Sequence, residues 1–298
     1  MKPHDPYGPM LEELCKRNDN DSEELFRDSL RQTQNYVREL RQAFKHCPSE
    51  ADYSKDCIRA AYLLGYYPYY IEPIYHVLKK LPDDSVQAAF NYSKVRACFL
   101  GGGAGPEILG WIAFLQERCA NIEIATAYIF DIHAHGWRTG QEITRYHLST
   151  HYWDKELILV PYECDMLAEQ VLDSPWGERA ITISNLFVMQ NSLNEYIGNE
   201  ATFLENFLSL FQMISPGSIF VLIDLNFLQI KNLMQSIEIA ITEHELGDAI
   251  VHVEDQYTNI ESNIALPDIL QEELFTSADG LIPKKHTRFY SSLLIRNE

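Results

Sequence analysis

The sequence predicts an α/β protein in which helices cover both faces of a mostly parallel sheet, preceded by a helical extension. Three observations carry that prediction. From about residue 92 onward, short apolar runs suited to buried strands alternate with helical stretches. A glycine-rich turn, Gly101-Gly102-Gly103-Ala104-Gly105, stands between the first such run and the next helix. Upstream of Pro82 the periodicity is helical.

Taken in order, the opening dozen residues read as loose. A helix is expected from Asp21-Ser22-Glu23-Glu24, where Asp21 or Ser22 can cap and the acids favour the helix N-terminus. Leu25, Leu30, Tyr36, Val37, Leu40 and Phe44 share one of its faces, up to a stop at Cys47-Pro48. A second helical stretch begins near Ala51, kinks at Pro68 because proline lacks a donor, and resumes through Ile74 to Leu81. Val95 to Leu100 is the first strand, followed by the glycine turn and a helix from Pro106 to Cys119. Ile122 to Phe130 is the next strand, with Asp131 at its end. A polar stretch leads to a strand at Leu157 to Pro161. Further strands are expected at Ile181 to Met189, Ser218 to Asp224, Ala249 to Glu254 and Phe289 to Ile295, with helices at 201–213 and 228–242. The division is an N-terminal helical extension or lid over 1–90 and a sheet domain over 91–298, within the size range of one large domain.

Composition narrows the function. Of 298 residues, 46% are hydrophobic, as in a folded globular chain, and no segment reaches membrane-spanning length. The net charge of −19 opposes the counterion release that drives nucleic-acid binding. Only Lys79-Lys80 and the segment Pro283 to Arg288 offer local basic character, and a solvated surface explains both. The six cysteines form no C-x-x-C pair, which points to reduced thiols in the cytoplasm. Met1 to Pro6 lacks the build of a secretory signal.

The candidate site is assembled from strand ends. Gly101, Gly103 and Gly105 let a backbone free of Cβ atoms approach a ligand, and Pro106 fits the first turn of the following helix. Asp131 closes the next strand, where a carboxylate can accept both hydroxyls of a ribose; a turn cap is the alternative. Asp165, beside Met166 and Leu167, suits an adenine amino group flanked by apolar contacts. Together these acids and the glycine turn mark one cleft at the carboxyl edge of the sheet.

The glycine loop, the Asp131 strand end, the Asp165 position and the late strands resemble the class I, Rossmann-like S-adenosylmethionine-dependent methyltransferases, over roughly residues 92–298. The resemblance implies S-adenosyl-L-methionine as cofactor, with Gly101, Gly102, Gly103 and Gly105 along its methionine part. It also implies Asp131 and Ile132 at ribose, Asp165 and Met166 at adenine, and Gln190 near the methyl group. It implies a late reversed hairpin closing the sheet. One departure stands out: the family often has an acid two residues before the first glycine, and here that residue is Phe99, with Glu107 a possible substitute. Asn191 is expected to orient the acceptor. Tyr67 and Tyr70, within the segment Tyr62 to Tyr70, are expected either to line the acceptor pocket or to pack in the core.

The leading expectation is methyl transfer to a small molecule or peptide. Alternatives are an RNA methyltransferase, a non-catalytic methyltransferase-like subunit and an NAD-dependent oxidoreductase. No catalytic base is assigned, and no metal is expected, although His133, His135, His147 and His151 invite the question. Trp137 and Trp153 are expected to anchor the polar stretch.

Overall fold

The computed structural model describes residues 6–17, 23–47, 51–168, 172, 175–276, 278 and 280–297. The expected caps Asp21 and Ser22 and the expected stop at Pro48 lie outside the described residues. The helical part comprises α1 (Tyr7–Arg17), α2 (Glu23–Ala43), α3 (Asp56–Gly65), α4 (Glu72–Leu78) and α5 (Asp83–Phe90). Between α3 and α4 a single 3₁₀ turn, Tyr67–Tyr70, takes the place of the expected kink at Pro68.

β1 (Lys94–Leu100) then leads through the glycine turn to α6 (Pro106–Arg118), followed by β2 (Ile124–Asp131). Next come α7 (Arg138–Glu142), a π-helical stretch Ile143–Leu148 and α8 (Ser149–Tyr152). The chain continues through β3 (Glu156–Glu163), α9 (Pro175–Thr182), β4 (Leu186–Gln190), α10 (Glu200–Met213), β5 (Ile219–Leu225) and α11 (Leu228–Glu243). It ends with β6 (Gly247–Val251), β7 (Thr258–Glu261), α12 (Asp268–Glu273) and β8 (His286–Arg296).

The strands form one sheet in the order β3-β2-β1-β4-β5-β8-β6, with β7 also paired to β8. β1 to β5 run parallel, and β8 is antiparallel to β5, β6 and β7, so the reversed late strand is present. Alternation along the central strands divides the apolar interior between two faces. Leu186 and Val188 of β4 and Val221 and Ile223 of β5 join one cluster with Ile74, Ile108 and Trp111. Phe187, Met189, Phe220 and Leu222 join the other with Phe207, Phe211 and Met234. Both faces being covered explains why β4 is apolar over most of its length.

Several expectations are corrected. The opening residues include a helix, α1, held because Tyr7 and Met10 are fully buried and the Tyr7 hydroxyl donates to the Leu64 carbonyl at 3.0 Å. Leu25 is 55% exposed; Phe26, one residue on, takes its place on the buried face with Leu30, Val37 and Leu40. The polar stretch after Asp131 is mostly helical. Ile181 belongs to α9, so β4 starts only at Leu186. Lys79 and Lys80 pair with Glu117 at 3.1 Å and Glu254 at 3.8 Å, as surface cations do. Among the described residues, no helix is long and apolar enough to cross a membrane.

Candidate functional site

The strand order reverses between β1 and β4, since β1 leads outward to β2 and β4 leads outward to β5 on the other side. In open α/β sheets the crevice beyond the carboxyl ends of the strands at such a switch point is where ligands bind. Here two joined cavities occupy it. The first, of about 250 Å³, is lined by Gly101, Gly102, Gly103, Glu107, Asp131, Ile132, His133, Gln190, Asn191 and Glu195, and by Phe44, Ala51, Tyr53, Tyr62 and Trp137. The second, of about 190 Å³, is lined by Asp165, Met166, Leu167, Cys164, Tyr196, Phe130 and Leu100, and shares Gly101, Asp131, Ile132 and Glu195 with the first.

The structure thus brings together Gly101, Gly102, Gly103, Asp131, Ile132, Gln190 and Asn191 around the first cavity and Asp165 and Met166 around the second. Gly105 lines neither. It caps α6 at φ 78°, a conformation that a side chain disfavours. Tyr67 and Tyr70 also line neither cavity and are fully buried. The Tyr67 hydroxyl shares a hydrogen bond of 2.6 Å with Thr144 Oγ1, and the Tyr70 carbonyl accepts from Gln190 Nε2 at 2.7 Å. Tyr67 packs in the core, whereas Tyr70 borders a separate cavity beside Lys284.

The carboxyl edge is internally braced. Asp131 accepts the backbone N–H of Gly103 at 3.0 Å and of His133 at 2.7 Å, fixing the glycine loop against the end of β2. Each carboxylate oxygen retains acceptor capacity beyond its one backbone donor. Gly102 has a different use: a Cβ there would lie 3.0 Å from Glu107 Oε1, so its bare backbone makes room for that carboxyl beneath the loop. Glu107 is 4% exposed, and burial, with Asp131 nearby, pushes its pKa up to about 8. Enclosure by the cleft walls raises the Asp131 carboxyl as well, while Glu195 stands exposed in the cleft.

The fourth strand ends in strained backbone. Asn191 sits at φ 59°, a region that asparagine tolerates better than most side chains. Behind it, fully buried Asp224 accepts the backbone N–H of Asn194 at 3.2 Å and of Leu225 at 2.6 Å, which fixes the turn carrying Glu195. Gln190 is buried, and among the described residues its Oε1 has no donor. A buried amide oxygen left open at the rim of a cavity awaits a donor from whatever fills that cavity.

Residues missed by sequence reasoning come mainly from the helical extension. Tyr53 and Tyr62 stand against Trp137 with ring centroids 5.4 and 5.3 Å away, forming an aromatic wall with Phe44 at its edge. Arg59 donates to the Tyr53 carbonyl at 2.5 Å and holds that residue in place. Trp137 both anchors its segment and lines the cleft. Glu195 carried no signal beyond that of a helix-capping acid. Three of the four histidines diverge: His133 lines the cleft, His135 lies 3.9 Å from Glu163, and His147 lies 3.2 Å from Glu13. Among the described residues, no three His, Cys, Asp or Glu side chains gather as a metal site.

No protein-family profile matches the chain, and no curated protein matches it. Solved structures do. A predicted O-methyltransferase from Agrobacterium tumefaciens is similar at 11% identity and TM-score 0.37, over 73% of this chain and 82% of that one. An S-adenosylmethionine-dependent methyltransferase from Clostridium acetobutylicum is similar at 9% identity and TM-score 0.33, over 74% and 95%. A methyltransferase from Pyrococcus furiosus is similar at 10% identity and TM-score 0.35, over 72% and 82%. At TM-scores below 0.5 these likenesses leave the chemistry of the cleft to its own residues.

Proposed function

We propose that this protein transfers a methyl group from S-adenosyl-L-methionine to a small-molecule or peptide acceptor. The observation that carries the reading is the joined cleft at the switch point, where a carboxylate closing β2, a buried carboxyl and an unpartnered amide oxygen face the same space. Those groups fit the cofactor. Asp131 would accept from the ribose hydroxyls, and Met166, Leu167 and Asp165 would enclose the adenine. Glu107 and Gln190 Oε1 would accept from the α-ammonium group, supplying from α6 and β4 what Phe99 in β1 does not. Phe99 is fully buried against Trp111, with ring centroids 5.6 Å apart, and does not reach the cleft.

When bound, the cofactor supplies an electrophilic methyl group on a sulfonium. The chain contributes positioning, which accounts for much of the rate of such a transfer. Tyr53, Tyr62, Trp137 and Phe44 exclude water and present a flat wall to an acceptor. Asn191 is held at the adjoining strand end. Glu195, exposed where the two cavities meet, is placed to receive a proton from an acceptor heteroatom. The helical extension over 1–90 serves as one wall of the acceptor pocket. The acidic composition favours neutral or cationic reacting groups over polyanions. Six free thiols accord with a cytoplasmic location.

Calorimetry with S-adenosylmethionine, S-adenosylhomocysteine and NAD tests the reading. Binding of the two sulfur ligands is expected. Binding of NAD alone overturns it. A labelled-methyl screen over metabolites, peptides and RNA then identifies the acceptor.

A further inference from the structure

A cavity of about 260 Å³ adjoins the cleft on the side of the helical extension, and Phe44 lines both. Its chemistry is opposite to that of the cleft. Arg41 and Lys284 both line it, together with apolar or aromatic surface from Phe44, Tyr66, Tyr70 and Leu225. Among the described residues, no carboxylate makes an ion pair with either cation. Glu261 lines a separate cavity on the other side of Lys284 without pairing to it.

The two cations are held but not neutralised. Lys284 Nζ donates to the Tyr70 hydroxyl at 3.1 Å and lies 4.5 Å from the Tyr70 ring centroid and 5.4 Å from that of Tyr66. Arg41 donates to the Ile282 carbonyl, and its guanidinium lies 6.0 Å from the centroid of the Phe275 ring. Burial lowers the pKa of Lys284 to about 8 and also lowers that of Arg41. Aromatic faces recover part of the cost of desolvating a cation, but spare N–H donors remain on both side chains. In a chain with 43 acidic and 24 basic residues, two part-buried cations sharing a cavity without a counter-ion are a specific arrangement.

We propose that Arg41 and Lys284 form an oxyanion subsite that takes a carboxylate or phosphate carried on a short apolar stem. The cavity volume fits one such group with a small stem, and charge-assisted hydrogen bonds from a guanidinium and an ammonium are the interactions that select an oxyanion over a neutral isostere. Its assignment to the methyl acceptor rests on the proposed function. On that reading the acceptor is bipolar, with an anionic end beside Lys284 and a neutral or cationic reacting group beyond Phe44, in the acidic cleft. The acidic composition points away from polyanions, and a single carboxylate or phosphate held by two local cations lies outside that exclusion.

The test is calorimetry on the full chain at pH 7 with phenylacetate, phenyl phosphate and the neutral 2-phenylethanol, with S-adenosylhomocysteine measured separately. At least one anion is expected to bind tenfold or more tighter than the alcohol, and which one does so separates carboxylate from phosphate. The margin should fall below threefold in Lys284→Met and in Arg41→Gln, and persist in Lys284→Arg. S-adenosylhomocysteine affinity should stay the same in all three. Equal binding of anions and alcohol in the unsubstituted protein overturns the subsite, as does an anion preference that survives both Lys284→Met and Arg41→Gln. Should Lys284→Met fail to fold, Arg41→Gln decides alone. Anion binding in a protein that does not bind S-adenosylhomocysteine retains the subsite and removes its assignment to a methyl acceptor.

Discussion

Gly103 and Asp131 are joined by a 3.0 Å hydrogen bond from the glycine N–H to Asp131 Oδ2, so the loop after β1 and the end of β2 form one unit. The carboxylate that faces the cleft is therefore also a brace. On sequence alone, replacing Asp131 with Ala is expected to weaken cofactor binding and leave the fold untouched. The structure changes the second half of that expectation, because the N–H groups of Gly103 and His133 both lose their acceptor.

Asp131→Ala should lower the affinity for S-adenosylhomocysteine by about 1.5–3 kcal/mol, the range for hydrogen bonds to a charged group. It should also lower the melting temperature by several degrees. Asp131→Asn, which keeps one carbonyl acceptor but sets an NH₂ group against one of the donors, should fall between. Unchanged affinity in a well-folded Ala variant defeats the assignment.

Glu107 gives a pH signature. Its carboxyl has an ordinary pKa of 4.5 when exposed and about 8 in the fold. Between those values the folded state holds a proton that the unfolded chain has released, so this group's contribution to stability declines as pH rises from 4.5 to 8 and is level above. Glu107→Gln removes that decline. Its melting temperature relative to the unsubstituted protein should rise between pH 5 and pH 8, whereas a difference independent of pH would contradict the burial of an ionisable group here. Asp131 biases the absolute curve in the same direction, which is why the comparison is between the two proteins.

The same carboxyl bears on the ligand. An α-ammonium group beside Glu107 favours its ionised form, so cofactor binding near pH 7 should release protons. Calorimetry in buffers of different ionisation enthalpy measures that release. It should shrink in Glu107→Gln, with Asp131 supplying what remains.

The sheet was legible because its strands are short β-branched and aromatic runs separated by turn residues, and because Asp131 and the glycines fall where a switch-point cleft needs them. What was illegible has physical reasons. Residues 138–152 are helical on the strength of a few buried side chains, Gln141, Ile143, Thr144 and Leu148, within polar sequence that shows little periodicity. α5, α9 and α12 are one or two turns long, too short for a periodic pattern to declare itself. In the site, Glu107 has the position of an ordinary first-turn acid, and only the space above Gly102 shows its carboxyl turned into the protein. Phe44, Ala51 and Tyr53 reach the cleft from far upstream, and nothing local in their sequence says so; Tyr62 lies in the tyrosine-rich segment that the sequence marked, and it is the end of that segment that reaches the cleft.

Tyr67 separates core from pocket. It is fully buried and shares its hydroxyl with Thr144, whose Oγ1 lies 2.7 Å from the Ala104 carbonyl beside the glycine loop. Tyr67→Ala should cost about 3–5 kcal/mol of stability and lower cofactor binding and turnover together. Tyr67→Phe should cost about 0.5–1.5 kcal/mol, the worth of one hydrogen bond. Denaturant unfolding of both variants checks this, and a Tyr67→Ala protein of unchanged stability that had lost only acceptor turnover would restore the lid role expected from sequence.

Tyr53 and Tyr62 line the cleft, where the sequence had offered Tyr67 a place. They are half-buried, they line the cleft, and their rings lie 5.8 Å apart at 89° with Trp137 closing the group. Their aromatic faces are on the side of the helical extension, whereas the groups fitted to the cofactor come from the sheet and from α6. Truncating either tyrosine should therefore damage acceptor binding first. An aromatic contact contributes about 0.5–1.5 kcal/mol beyond area burial, so Tyr53→Ala or Tyr62→Ala should raise the KM for the acceptor found by the labelled-methyl screen several-fold. S-adenosylhomocysteine affinity should change less than twofold. Tyr62→Phe, which keeps the ring, should restore most of the loss if stacking is the cause. Asp131→Ala should show the opposite division, with cofactor affinity lost first. A Tyr62→Ala protein in which cofactor affinity and acceptor KM decline equally would place that ring against the cofactor and remove the helical extension from acceptor recognition.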